Sequence, residues 1–180
     1  MAIELGGRIM LIDCGLMFPD AHLLGIDLVI PDVSYLLEEK TKLKAIVLTH
    51  AHEDHLGAVP YLWPRLGCPI YATSFTASVL RQKLREHGLA EVALSTVRPR
   101  ERVTIGPFEI EFIRVTHSMP DCVALAIHTP LGVIVHTGDF KIDQTPIDGQ
   151  HFDLHRFAEL GTEGVLALFG DSTNIDRRGY

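Results

Sequence analysis

Cysteine is scarce in this chain: Cys14, Cys68 and Cys122 stand far apart, with no Cys-x-x-Cys pair. That excludes a disulfide framework and a thiolate zinc site, and it predicts reduced, mostly buried thiols. No apolar run approaches the roughly 20 residues of a membrane-spanning helix, and the N-terminus lacks the basic-then-apolar layout of a secretion leader. The expectation is a cytoplasmic protein without membrane contact. Positive charge is also short, with 16 Lys and Arg against 23 Asp and Glu and a formal net charge of −7. Broad electrostatic attraction to nucleic acid is excluded, although a local basic groove can coexist with an acidic surface. Internal repeats, heptads and low-complexity tracts are missing as well.

What the chain does have is apolar substance and histidine. A 47% hydrophobic content over 180 residues suits one domain with a substantial core. Ten histidines are an enrichment that matters, because neutral imidazole is the commonest side-chain ligand of zinc-like metals. His50, His52, Asp54 and His55 fall within six residues, directly after the apolar run Ala45-Ile46-Val47-Leu48 and ahead of a helical segment. Four bulky polar groups at one strand end lose hydration unless something pairs them, and a bound cation would do so.

Along the chain, Ile3 to Gly15 predicts two short strands around a Gly6-Gly7 turn, the second ending in Asp13. Val33 to Lys40 predicts a short helix with Asp32 as its N-cap, and a further helix from about Gly57 should stop near Pro64. Pro69 to Ala72 reads as a strand. Ser74 is expected to cap a helix with Phe75, Val79, Leu80 and Leu84 on its apolar side and Gly88 beyond its end. Val103–Ile105, Glu109–Val115, Cys122–His128 and Val133–His136 read as antiparallel strands of a second sheet. A helix over Leu154–Leu160 and a strand over Val165–Phe169 follow, the latter running into Asp171. The expected class is α+β, two sheets face to face with helices outside. Five strands in turn end in Asp13, the His50–His55 cluster, His117, Asp139 and Asp171, and strand ends along one edge of a layered fold are where sites are built.

His50 and His52, at alternate positions of an extended segment, point the same way and can hold one metal, which His117 would complete. Asp54 and His55 can hold a second, and Asp139 has two oxygens with which to bridge the pair. Two such ions about 3.5–4 Å apart would share a hydroxide and stabilise the oxyanion it creates. Asp13 and Asp171 read as carboxylates that accept the outer N–H of ligating imidazoles, with an Asp-x-Gly turn and a helix cap as their plain alternatives. His128 and His136 lie inside strands and read as core residues. His22, His87, His151 and His155 read as surface residues, and Glu53 should face away from the metals.

On HxHxDH at His50–His55 and on Asp13, His117 and Asp139 in order at strand ends, the chain resembles the metallo-beta-lactamase fold hydrolases. Leu24–Asp32, Thr49–Tyr61 and His136–Pro146 are similar, more narrowly, to the ribonuclease J family of beta-CASP nucleases. The resemblance implies an αββα four-layer sandwich over residues 1–170, with residues 171–180 opening a beta-CASP domain and Asp171 at its first motif. It implies two Zn2+, with Mn2+ or Mg2+ as other occupants, and Asp54, Asp13 and Asp171 in catalytic roles. It further implies 5′-to-3′ exonuclease and endonuclease action on RNA, 5′-monophosphorylated at its end, in turnover and maturation by a homodimer or homotetramer. The family pattern places a Gly-rich strand before Ile3 and a further metal-binding histidine after Tyr180, so the chain is expected to be one segment of a larger protein and poorly active alone. Two rivals stand beside this: a thioester or lactone hydrolase of the same fold, and a non-catalytic scaffold.

Overall fold

A computed structural model describes all residues except 174, 177, 179 and 180, so the expected segment 171–180 lies partly outside the described residues. Strands β1 (Ala2–Leu5), β2 (Arg8–Ile12), β3 (Leu43–Val47), β4 (Ile70–Thr73) and β5 (Leu94–Val97) form one sheet in that order. β1 and β2 are the antiparallel hairpin turned at Gly6-Gly7, and β2 through β5 run parallel. The second sheet has the order β10 (Ala167–Phe169), β9 (Gly132–His136), β8 (Val123–Thr129), β7 (Phe108–Arg114), β6 (Arg102–Ile105). Its first four strands in chain order are antiparallel, as the sequence predicts, whereas β10 joins β9 in parallel. β7 and β9 therefore share a direction, and β10 joins them.

Period-two alternation sorts the side chains into three cores. Met10 and Ile12, Ala45 and Val47, Phe108, Ile110 and Phe112, and Val123, Leu125 and Ile127 pack between the sheets. Their neighbours Ile9, Leu11, Ile46 and Leu48 face outward onto α1 (Ser34–Glu38), α3 (Val59–Leu66) and α4 (Ser74–Glu86) through Leu36, Val59, Leu62, Leu80 and Leu84. Ile113, Ala124 and Ala126 face α5 (Leu154–Glu163) through Leu160. The result is the four-layer αββα sandwich.

Local readings needed correction in several places. The helix expected to stop at Pro64 continues to Leu66, because Leu62 and Leu66 are both buried and Gly67, left-handed at φ 64°, is what ends it. Ser74 is not the cap of α4 but its first residue: Phe75 N–H is received by the Asp121 carboxylate at 3.1 Å, from a distant loop. Phe75 is exposed, and the buried face is Thr76, Ala77, Leu80 and Leu84. Asp32 does accept Ser34 N–H at 2.8 Å, but it lies two residues before the shortened α1, whose N-cap position is Val33. β5 has no strand signal in the sequence, since its half-polar Leu94-Ser95-Thr96-Val97 lacks an apolar run. The three cysteines are free and buried, and burial pushes their thiols up to about 12, 11 and 12 for Cys14, Cys68 and Cys122. Among the described residues no helix is long and apolar enough to cross a membrane.

β7 is tied to α5 by a buried ion pair. Arg156 Nε and Nη2 donate to the two Glu111 oxygens at 2.7 and 3.0 Å, and His128 and Arg102 reach the same carboxylate at 3.2 and 2.9 Å. Burial alone would raise the Glu111 pKa, but these donors outweigh it and hold the carboxyl below its usual value. A depressed carboxylate contributes stability above its unfolded pKa and loses it as pH falls through the folded one. Arg156→Leu, which leaves the buried Glu111 carboxylate with only Arg102 and His128 as partners, should cost about 3 kcal/mol in denaturant melts at neutral pH. Glu111→Gln should flatten the acid limb of the stability profile, and an unchanged acid limb would contradict this account of the pair.

Candidate metal centre

The sheet edge where β2, β3, β7, β9 and β10 end carries the polar cluster. β3 runs on through Leu48 and the fully buried Thr49 to His50, and His52, still extended at φ −71° and ψ 154°, precedes the short helix α2 (Glu53–Leu56). His50 and His52 thus project to one side, with ring centroids 4.8 Å apart. Val115 and Thr116 carry the chain from β7 to His117, whose ring lies 5.1 Å from that of His50 and 4.9 Å from that of His52. The turn into α2 brings His55 to 4.0 Å from His50 between ring centroids.

Nitrogens converge within this set. His50 Nε2 is 2.9 Å from His52 Nδ1, and His117 Nε2 is 3.3 Å from the same atom. A neutral imidazole carries one N–H, so nitrogens this close either share N–H···N hydrogen bonds or turn lone pairs toward a common cation. Burial drives the His50 pKa down to about 3, and it lowers that of His117 too, so both rings are neutral with a lone pair to give. His50, His52 and His117 form one group of mutually close donors, and His50, His55 and Asp139 form a second. The first offers nitrogen alone and the second nitrogen and carboxylate oxygen, both without sulfur, a donor chemistry that fits a divalent metal ion.

Asp13, in the left-handed region at φ 57°, is the anchor beneath them. Its Oδ1 accepts Thr49 N–H and its Oδ2 lies near both His55 Nδ1 and Thr49 Oγ1, all at 2.8 Å. Burial opposes its charge, yet the contact with His55 and the donors of Thr49 hold the carboxyl below its ordinary range. The same contact works against the desolvation of His55 and raises the pKa of that ring. His55 Nε2 faces Asp139 Oδ1 at 3.3 Å and Asp54 Oδ2 at 3.7 Å, while Asp139 Oδ2 lies 3.9 Å from His117 Nε2. Asp54 is exposed and stands outside both donor groups. Asp171 differs from its expected role: its carboxylate accepts from Thr173 and lies 3.5 Å from Phe140 N, and it makes no imidazole hydrogen bond among the described residues.

A description of the metallo-beta-lactamase superfamily fits residues 1–163. The chain belongs to the metallo-beta-lactamase superfamily. It is 50% identical over 176 residues to a ribonuclease J of Synechocystis sp., covering 96% of this chain and 28% of that protein. A ribonuclease J of Sinorhizobium meliloti is 48% identical over 170 residues, covering 94% and 30%. The chain therefore spans less than a third of these curated relatives' length. A solved protein of unknown function from Enterococcus faecalis V583 superposes on 99% of the chain and 48% of its own with a TM-score of 0.73 at 19% identity, which shows the fold. The superfamily match takes in Asp13, His50–His55, His117 and Asp139, and ends before Asp171.

Within this superfamily member some neighbours of the site carry little sequence signal. Thr49 contacts Asp13 and His50, and Ser118 Oγ lies 3.2 Å from His52 Nε2. Their only sequence signal is adjacency to His50 and His117. Half-buried His136 accepts Gly138 N–H at 3.1 Å, with its pKa lowered by burial, and His128 is bound to Glu111; neither joins a donor group. Glu53 turns away to pair with Lys83. His22, His87, His151 and His155 are exposed.

Gly15 is required by the same architecture. Cys14 N donates to His55 O at 2.6 Å and Ala58 N to Cys14 O at 3.0 Å, so the strand end lies against the ligand helix. A Cβ on Gly15 would sit 1.6 Å from the Asp54 carbonyl oxygen, a backbone atom that cannot yield. Gly15→Ala should destabilise the fold by about 3 kcal/mol or more in chemical denaturation. A variant as stable as the parent would mean that the two segments are not packed this closely.

Proposed function

We propose that this chain is the metal-binding part of a cytoplasmic ribonuclease that hydrolyses RNA phosphodiester bonds, both 5′-to-3′ and internally, in RNA turnover and maturation. The observation that carries the reading is the pair of donor groups that share His50. Asp13, Asp54, His55, Asp139 and Asp171 line one cavity beside them. The name ribonuclease J, borne by relatives 48–50% identical, selects RNA among the substrates such a site serves. On this reading residues 1–170 are the lactamase-type unit and 171–180 the start of a beta-CASP domain, the RNA is 5′-monophosphorylated, and the enzyme works as a homodimer or homotetramer.

Two zinc ions are the proposed occupants, with manganese or magnesium as alternatives: His50, His52 and His117 for one, Asp54, His55 and Asp139 for the other. Bound ions would supply a water of lowered pKa and stabilise the oxyanion at phosphorus. The protein's own share is orientation and proton handling. Asp139 turns one oxygen toward His55 and the other toward His117, so a single side chain spans both groups. Asp54, 65% exposed at the rim, can take the proton that an attacking water releases. Asp13 keeps His55 with Nε2 directed into the centre. Asp171 acts on Phe140, next to Asp139, and so positions that loop.

Elemental analysis of the purified chain should find tightly held zinc, and fewer than about one ion per chain would favour a non-catalytic scaffold. His52→Ala should lose that metal and, with it, the metal-dependent cleavage of 5′-monophosphorylated RNA. Cleavage that survives the substitution would defeat the site assignment. Turnover of thioesters or lactones without RNA cleavage would replace the nuclease with a small-molecule hydrolase.

A further inference from the structure

Thr49 is fully buried beneath the imidazoles, and its hydroxyl has one proton to place between two close neighbours, with His55 Nδ1 farther off at 3.5 Å and nearer to Asp13. Asp13 Oδ2 lies 2.8 Å from Oγ1, and His50 Nδ1 lies 3.0 Å from it. An ionised carboxylate can only accept, so the hydroxyl proton must go to Asp13; the reverse choice would press two oxygen lone pairs together at 2.8 Å. Thr49 Oγ1 is then left as an acceptor, and the group facing it must be an N–H.

We propose that the Thr49 hydroxyl is a positioning residue that holds His50 as its Nδ1–H tautomer, and so sends the Nε2 lone pair toward His52 and His117. The direction of hydrogen bonding runs from His50 through Thr49 to Asp13, and a second branch reaches Asp13 from His55 Nδ1. One carboxylate thereby orients two imidazoles, one directly and one through a hydroxyl. With a valine at position 49, His50 Nδ1 would lose this acceptor. The proton would shift to Nε2, where His52 Nδ1 at 2.9 Å can receive it, and an incoming metal would have to displace it. The consequence for metal binding rests on the metal-centre reading above; the tautomer itself does not.

The test uses the whole chain with 15N-labelled histidine, read metal-free by long-range proton–nitrogen correlation and then titrated with zinc. Wild type should show His50 protonated at Nδ1. Thr49→Val should lose that pattern and weaken zinc binding about 10-fold or more. Thr49→Ser, which keeps the hydroxyl and drops the methyl, should restore both. His50 protonated at Nε2 in wild type would overturn the proposal. So would a Thr49→Val protein with the parent's pattern and zinc affinity, or a Thr49→Ser protein as impaired as the valine variant. If Thr49→Val does not fold, the wild-type spectrum and the serine variant still decide. A wild type that binds no zinc would sink the metal reading alone, because the tautomer is read without metal.

Discussion

The contact between His50 Nε2 and His52 Nδ1, 2.9 Å with His117 Nε2 close behind, is the constraint to which the surrounding structure answers. Neutral imidazoles repel along their lone pairs, and held this close they need a proton or a cation between them. The fold supplies the holding. β3 is buried on both faces, with Ala45 and Val47 against the second sheet and Ile46 and Leu48 against the helices, so its end has little freedom to relax. His117 arrives from the other sheet on β7, which Glu111 and Arg156 fasten to α5. Asp13 closes the arrangement from β2, tied to Thr49 and to His55 together.

Those ties also divide the labour at the site. Carboxylates and hydroxyls lie on the outer sides of the imidazoles: Asp13 on His55, Thr49 on His50 and Ser118 on His52. Inward the rings turn nitrogens, joined by Asp139 between His55 and His117 and by Asp54 3.7 Å from His55. An inner set of imidazole nitrogens, held from outside by carboxylates and hydroxyls, has the arrangement that a cation site requires. The surplus of acidic residues does not conflict with this, because the carboxylates nearest the centre are the ones a cation would neutralise.

Much of this was legible in the sequence where the signal is local and periodic. The apolar run in Arg8–Ile12, the alternation at the start of Phe108–Arg114 and the dense His50–His55 stretch need no tertiary knowledge to be noticed. The convergence of Asp13, His55, His117 and Asp139 was legible only as strand ends of like polarity, and the structure gathers them at one edge. What escaped depends on partners far along the chain. The cap of α4 comes from Asp121, forty-six residues after Phe75, and no reading of Ser74 could reveal it. Pro64 is tolerated because Leu62 and Leu66 pull the last turn of α3 into the core. Thr49 and Asp171 show the same limit: a hydroxyl and a carboxylate look alike in any turn, and their roles follow from which neighbour the folded chain puts within 3 Å or so.

The claim that imidazole nitrogens converge to share a cation is tested most directly by X-ray absorption at the zinc edge on the loaded chain. The account predicts a first shell of nitrogen and oxygen at about 2.0–2.1 Å with the outer scattering of several imidazole rings and no sulfur. A shell at about 2.3 Å from sulfur, or oxygen ligands without imidazole, would contradict it.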